Sequence, residues 1–132
     1  MYKTKIKIKF SDCDAGGRIF FAKLFDYAHA VYEEFILKEF QSFNFFTSDN
    51  FIVPIIRASA EYYKPIVLHD EIEVQMKVDS ISSHSMVIKY LFIKDDSQLA
   101  TAETVHVFVN KKTGKKMKID KRIKSIMLGF IK

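Results

Sequence analysis

Lys5, Lys7 and Lys9 alternate with Ile6, Ile8 and Phe10 near the start of the chain. That period of two predicts a strand with one face in a core and the other in water. The rhythm changes after residue 22. Leu24, Ala28, Val31 and Phe35 recur at helical spacing, Phe25, Tyr32 and Ile36 widen the stripe, and Lys23, Asp26, Glu33 and Lys38 mark a polar side. A helix this apolar predicts a sheet wrapped around much of its circumference. Residues 41–50, ending in Ser48-Asp49-Asn50, read as a loop. Four strand-like segments follow. Residues 52–63 are the first, stopped by Lys64-Pro65 because proline lacks a ladder donor. Residues 71–78 alternate strictly, with Ile72, Val74, Met76 and Val78 on one face. Residues 86–93 end at the turn formers Asp95-Asp96-Ser97, and residues 99–109 precede a turn at Lys112-Thr113-Gly114. Ile119, Ile123, Ile126, Met127 and Phe130 predict a short terminal helix lying on the sheet.

One strand, one long helix, four consecutive strands and a short helix make an α+β chain with an antiparallel sheet, read as a single domain over residues 1–132. A single sheet curled around one helix leaves an edge and an outer face uncovered, which favours oligomers. The composition, 48% hydrophobic with thirteen Phe and no Trp, is that of a chain with a core and excludes disorder. No apolar run reaches membrane-spanning length, and Met1-Tyr2-Lys3-Thr4 opens a strand pattern, so neither a membrane partner nor a signal peptide is expected. A single cysteine excludes an internal disulfide and fits a cytoplasmic location. The net charge of +5 is concentrated at Lys111, Lys112, Lys115, Lys116, Lys118, Lys121, Arg122, Lys124 and Lys132. Nucleic acid, a phosphate-bearing small molecule and a solvated face are the three readings of such a cluster. No stacking aromatics are interleaved with it, which argues against nucleic acid.

Residues 10–34, FSDCDAGGRIFFAKLFDYAHAVYEE, carry the candidate chemistry. Asp14 stands just before Gly16 and Gly17, where backbone approaches a ligand with no side chain in the way. The helix that follows presents the free N–H groups and positive dipole end of its first turn. A carboxylate beside an oxyanion-binding helix start has the parts needed to cleave an acyl group. Asp and Gly are also the usual turn formers, so a plain surface turn stays open on spacing alone. Asp12 reads as holding the loop through backbone N–H groups, with a second catalytic carboxylate as the other reading. Cys13 reads as structural, because flanking aspartates disfavour the thiolate that cysteine catalysis requires. His29, within one turn of Asp26, Tyr32 and Glu33, reads as hydrogen-bonded to a neighbouring carboxylate, with lining of an acyl pocket as the other reading. His69, His84 and His106 share no ligand spacing, so no metal is expected. There is no G-x-S-x-G, P-loop or dinucleotide fingerprint, and no cofactor is expected.

Strand, DxDxGG loop, long helix and four-strand meander together resemble the hotdog-fold acyl-CoA thioesterases, and more narrowly their 4-hydroxybenzoyl-CoA thioesterase branch. Asp12-Cys13-Asp14-Ala15-Gly16-Gly17 is similar to that branch's opening motif, with Asp14 at the catalytic carboxylate position. Phe20-Phe21-Ala22 falls where the family has an aromatic-rich segment at the helix start. Residues 53–65, VPIIRASAEYYKP, followed by Asp70, are similar to the strand after the family's central helix. Within the branch, Phe21-Ala22, His29 and Tyr32-Glu33-Glu34 resemble the 1,4-dihydroxy-2-naphthoyl-CoA thioesterases of quinone biosynthesis. Two departures stand out. Arg18 replaces a small apolar residue or histidine, and Phe10 and Phe21 sit where one subgroup carries a tyrosine and a histidine that assist its aspartate.

The resemblance implies a cofactor-free hydrolase of acyl-CoA thioesters, a homodimer or homotetramer with sites between subunits. It implies Asp14 as general base or nucleophile and the backbone N–H of Phe21 or Ala22 as oxyanion donor, beside the Gly17 turn. Arg18, Arg57 and Lys64 become candidates for the phosphates of coenzyme A, and Phe20 and His29 for the acyl group. A hotdog protein that binds an acyl-CoA or acyl-carrier thioester without cleaving it is the alternative.

Overall fold

The computed structural model describes residues 1–41 and 45–131. Part of the expected 41–50 loop and Lys132 therefore lie outside the described residues. The elements in chain order are β1 (Tyr2–Lys7), a 3₁₀ turn (Phe10–Asp12), α1 (Lys23–Glu39), β2 (Phe51–Ile52), β3 (Ile55–Tyr62), β4 (Glu71–Ile81), β5 (Ser85–Lys94), β6 (Ser97–Val107), β7 (Val109–Asn110) and α2 (Lys121–Leu128). Five strands form an antiparallel sheet in the order β1-β4-β5-β6-β3, and β2 pairs with β7 in a separate ribbon. The sheet curls around α1, which is the hotdog arrangement. α1 buries Leu24, Tyr27, Ala28, Val31, Tyr32, Phe35 and Ile36, so the stripe read from the sequence faces the sheet and gains Tyr27. Phe35 is fully buried and meets Tyr2 and Phe130 edge-on at 5.5 and 4.7 Å. Asp120 caps α2 by accepting from the Arg122 and Ile123 amides, and Ile123 and Met127 enter the core.

Three expectations about the strands need correction. The segment 52–63 is two strands, because Pro54 interrupts it and its carbonyl accepts from Val107 instead. The segment 99–109 is likewise split at Phe108, whose N–H turns away to His84. The four strands are also not a simple meander: β3 pairs with β6, and β1 takes the place beside β4. The connection from β3 to β4 crosses the sheet and is pinned at its end by buried Asp70, whose carboxylate accepts from the Val67 amide at 3.0 Å and Lys94 at 2.6 Å. As a result β3 is an edge strand. Its burial is low along its whole length, with Ile55, Ile56 and Tyr62 exposed. No helix among the described residues is long and apolar enough to cross a membrane.

Candidate active site

The loop between the 3₁₀ turn and α1 folds back on itself. Cys13 pairs with Ile19, the Asp14 N–H donates to the Arg18 carbonyl at 2.7 Å, and the Gly17 N–H donates to the Asp14 carbonyl at 3.0 Å. Gly17 has φ 75°, a conformation open to glycine at no steric cost. A Cβ at Gly16 would come within 3.3 Å of the Asp14 carboxylate. Asp14 Oδ1 accepts from the Gly16 and Arg18 amides at 2.8 and 3.2 Å. These bonds hold the exposed carboxylate in one orientation. The expectation for Asp12 is therefore corrected: Asp14 holds the loop, and the Asp12 carboxylate turns to α1. It accepts from the Tyr27 hydroxyl at 2.6 Å and lies 3.9 Å from Lys23 Nζ. Desolvation and then the bond to Asp12 push the Tyr27 phenol up to about 12. Desolvation, with Asp14 and Asp12 alongside, raises the Cys13 thiol, consistent with a structural role.

At the start of α1, the Phe20 N–H donates to the Asp12 carbonyl at 2.9 Å, which ties the helix entry to the aspartate loop. Lys23, Leu24 and Phe25 direct their N–H groups to the carbonyls of Phe20, Phe21 and Ala22. The Phe21 and Ala22 N–H groups have no acceptor among the described residues. Tyr62, on β3, donates its hydroxyl to the Phe21 carbonyl and so fixes this peptide from the sheet side. The Phe20 and Phe21 rings are both exposed and sit 5.0 Å apart.

Beyond the helix start, the inner face of the sheet is filled unevenly. β4 and β5 contribute Ile72, Val74, Met76, Ile88, Tyr90 and Phe92, whereas β6 contributes Ala100, Ala102, Thr104 and His106. Small residues on β6, with Ala58 and Ala60 on β3, leave room against α1. Two adjoining cavities occupy it. One, of about 330 Å³, is lined by Phe25, Asp26, His29, Ile55, Ala58, Tyr90 and Thr104. The next, of about 220 Å³, shares His29 and Ile55 and runs on to Tyr32, Phe45, Phe46 and His106. His29 is exposed and stacks on Tyr32 at 5.8 Å. Among the described residues it has no hydrogen bond to a carboxylate, contrary to the expectation, because its ring lies over the cavity and not along the helix surface. A larger hollow of about 420 Å³ lies on the opposite face of the sheet among Glu61, Lys77, Lys89 and Glu103. Lys89 is paired there with Asp79 and Glu103, and neither Asp14 nor α1 reaches it.

Arg18 and Lys64 border one surface depression of about 280 Å³ with Tyr62 and Tyr63. Lys64 donates to Ser97 at 2.7 Å. Arg57 is not part of this group: strand alternation sets it with Ser59 and Glu61 on the face away from α1, while Ala58 and Tyr62 face the helix. Reasoning from sequence gave no site role to Tyr62, Tyr32, Thr104 or His106. The last two carried a readable signal, since they fall on the inward parity of β6 after two alanines. No group of residues suited to a metal ion occurs among the described residues.

These features agree with the relationships of the chain. Residues 8–127 match the thioesterase-like superfamily. A 1,4-dihydroxy-2-naphthoyl-CoA hydrolase of Prochlorococcus marinus (strain NATL1A) is 30% identical over 124 residues, 88% of this chain and 83% of the relative. The hydrolase of the same name from Crocosphaera subtropica is 31% identical over 109 residues, 80% of each chain. A solved 1,4-dihydroxy-2-naphthoyl-CoA thioesterase from Synechocystis superposes with a TM-score of 0.86 at 22% identity, covering 96% of this chain and 95% of that one, a likeness of fold. By family the chain belongs to the thioesterase-like superfamily, and it is a thioester hydrolase.

Proposed function

We propose that the chain hydrolyses coenzyme A thioesters of aromatic or apolar acids, 1,4-dihydroxy-2-naphthoyl-CoA first among them, as an oligomer whose sites lie between subunits. The observation that carries this reading is the pair of unspent N–H groups at Phe21 and Ala22, tied by the Phe20 to Asp12 bond to the loop that orients Asp14. The thioester carbonyl oxygen accepts from those amides, and the helix dipole favours the charge that develops on it. One such donor is typically worth ~3 kcal/mol of barrier, about a hundredfold in rate. Asp14 either draws a proton from water as it attacks or attacks the carbonyl itself, forming a mixed anhydride that water then opens. Both routes expel the thiolate of coenzyme A. With Phe10 and Phe21 where a tyrosine and a histidine assist in one subgroup, the carboxylate and the backbone carry the reaction. Arg18 and Lys64, sharing one depression, meet the phosphates of coenzyme A. The relatives' substrate, named above, supports the choice of acyl group.

Asp14→Asn tests the reading cleanly. Asn keeps the Oδ1 acceptor for the Gly16 and Arg18 amides and removes only the charge. Thiol release from 1,4-dihydroxy-2-naphthoyl-CoA should fall by about a hundredfold or more, with the melting temperature unmoved. A variant that keeps wild-type turnover rejects the assignment. The two phenylalanines also favour a second reading, a binder that does not cleave. Its signature is saturable binding of the ester by the native protein with no thiol released.

A further inference from the structure

We propose that Tyr32 and His106 form a hydrogen-bonding floor for a ring hydroxyl on the acyl group, so that the chain selects hydroxylated aromatic thioesters over unsubstituted ones. This rests on the function proposed above and names a specificity site within it. Tyr32 Oη and His106 Nδ1 are buried without a hydrogen-bond partner among the described residues. The two side chains are 2% and 1% exposed. Buried polar atoms are rarely left unpaired, and each one in a native fold asks for a missing partner. These two lie together: the rings are 4.7 Å apart, and both line the inner cavity beside His29.

The surroundings define the chemistry of that partner. Phe45 and Phe46 meet Tyr32 edge-on at 6.4 and 6.3 Å, which makes the walls aromatic. The volume, about 220 Å³, exceeds the roughly 150 Å³ in which an apolar cavity accommodates benzene. A charged ligand would lose its hydration there without a countercharge. His106 Nε2 is already bonded to Thr104 Oγ1 at 2.8 Å, so its free nitrogen donates in one tautomer and accepts in the other. A hydroxyl both donates and accepts, and it complements either tautomer together with the Tyr32 phenol. Burial, and then His29, hold the imidazole well below its ordinary pKa, which keeps it neutral for that role. The outer cavity joins this floor to the turns of α1 nearest Phe21, so a flat acyl group with its carbonyl at the helix start extends toward Tyr32.

Tyr32→Phe removes the phenol oxygen and little else. The kcat/KM for 1,4-dihydroxy-2-naphthoyl-CoA should drop about tenfold, while that for 2-naphthoyl-CoA should stay within twofold. The melting temperature of the free variant should rise, because an unpaired buried hydroxyl has been removed. Equal losses on both esters, or no loss on either, overturn the proposal. Equilibrium binding of both esters to Asp14→Asn, with and without Tyr32→Phe, separates the two readings. If the wild type releases no thiol from either ester, the catalytic reading fails, while a tenfold binding preference for the hydroxylated ester that Tyr32→Phe abolishes still upholds the specificity site. Equal binding of the two esters refutes it.

Discussion

His106 shows how one side chain links the fold to its surroundings. Its ring is buried, and burial together with nearby His29 lowers its pKa to about 4 from an ordinary 6.5. The folded protein therefore takes up this proton only near pH 4, whereas the unfolded chain takes it up near 6.5. Between those values the unfolded state holds more protons, so stability is complete above about pH 6.5 and declines as pH falls toward 4. The gap corresponds to about 3 kcal/mol at ~1.4 kcal/mol per pH unit. Urea unfolding at pH 7 and pH 4.5 measures most of it. His106→Gln cannot bind the proton, so the variant should lose much of the decline that the wild type shows. An identical decline in both proteins means that other groups cause it. The two aspartates of the loop make a related point. Asp12 and Asp14 are two residues apart, yet Asp14 alone accepts from the turn amides while Asp12 bonds to Tyr27. Which of the pair does which depends on where the turn begins, a matter of backbone angles that composition does not reveal.

Among the elements, the sheet acts as a wall of graded thickness. Large inward residues on β4 and β5 seat α1, and alanines on β6 and β3 leave a gap beneath it, so the cavity arises from the order of the strands. Ala58→Leu tests this. Ala58 lines the outer cavity, and a leucine there fills space without displacing packed atoms. Its cost should stay below the 1–3 kcal/mol typical of overpacking. The kcat/KM for 1,4-dihydroxy-2-naphthoyl-CoA should fall about tenfold or more, a loss of ~1.4 kcal/mol of transition-state binding, while that for acetyl-CoA holds. Equal losses on both esters mean that the cavity does not house the acyl group. The long elements were legible in advance, because their signals are local, whereas the breaks that set off β2 and β7 were not. Leu24, Ala28, Val31 and Phe35 mark α1 by spacing, and Asp14, Gly16 and Gly17 mark the loop by turn chemistry. The strand order was not legible. Nothing within residues 55–62 records that they pair with β6 across the sheet and not with β4. Because that placement was hidden, so were its consequences: Tyr62 reaching the Phe21 carbonyl from 41 residues away, and His106 facing Tyr32.

For the whole molecule the unfinished feature is β3. It is hydrogen-bonded to β6 on one side only and carries Ile55, Ile56 and Tyr62 exposed, with Tyr63 exposed just beyond it and Phe20 and Phe21 exposed just ahead of α1. Long edge strands with apolar side chains are normally covered. A second copy pairing along the same edge would cover this one symmetrically. Ile56 is 64% exposed, so Ile56→Asp leaves the folded chain intact while placing charges against each other across such a pairing. Sedimentation should find the wild type at least dimeric and the variant monomeric, with the variant inactive although its circular dichroism is unchanged. A monomeric, active wild type ends the argument. If Asp14 of one subunit works on an acyl group held in the cavity of the other, two crippled variants can repair each other. Mixing Asp14→Asn with Ala58→Leu, unfolded and refolded together, puts an intact aspartate opposite an intact cavity in one site of each mixed dimer, and about a quarter of wild-type activity returns. If each site is built from a single chain, mixing restores nothing, because every site then keeps one of the two lesions.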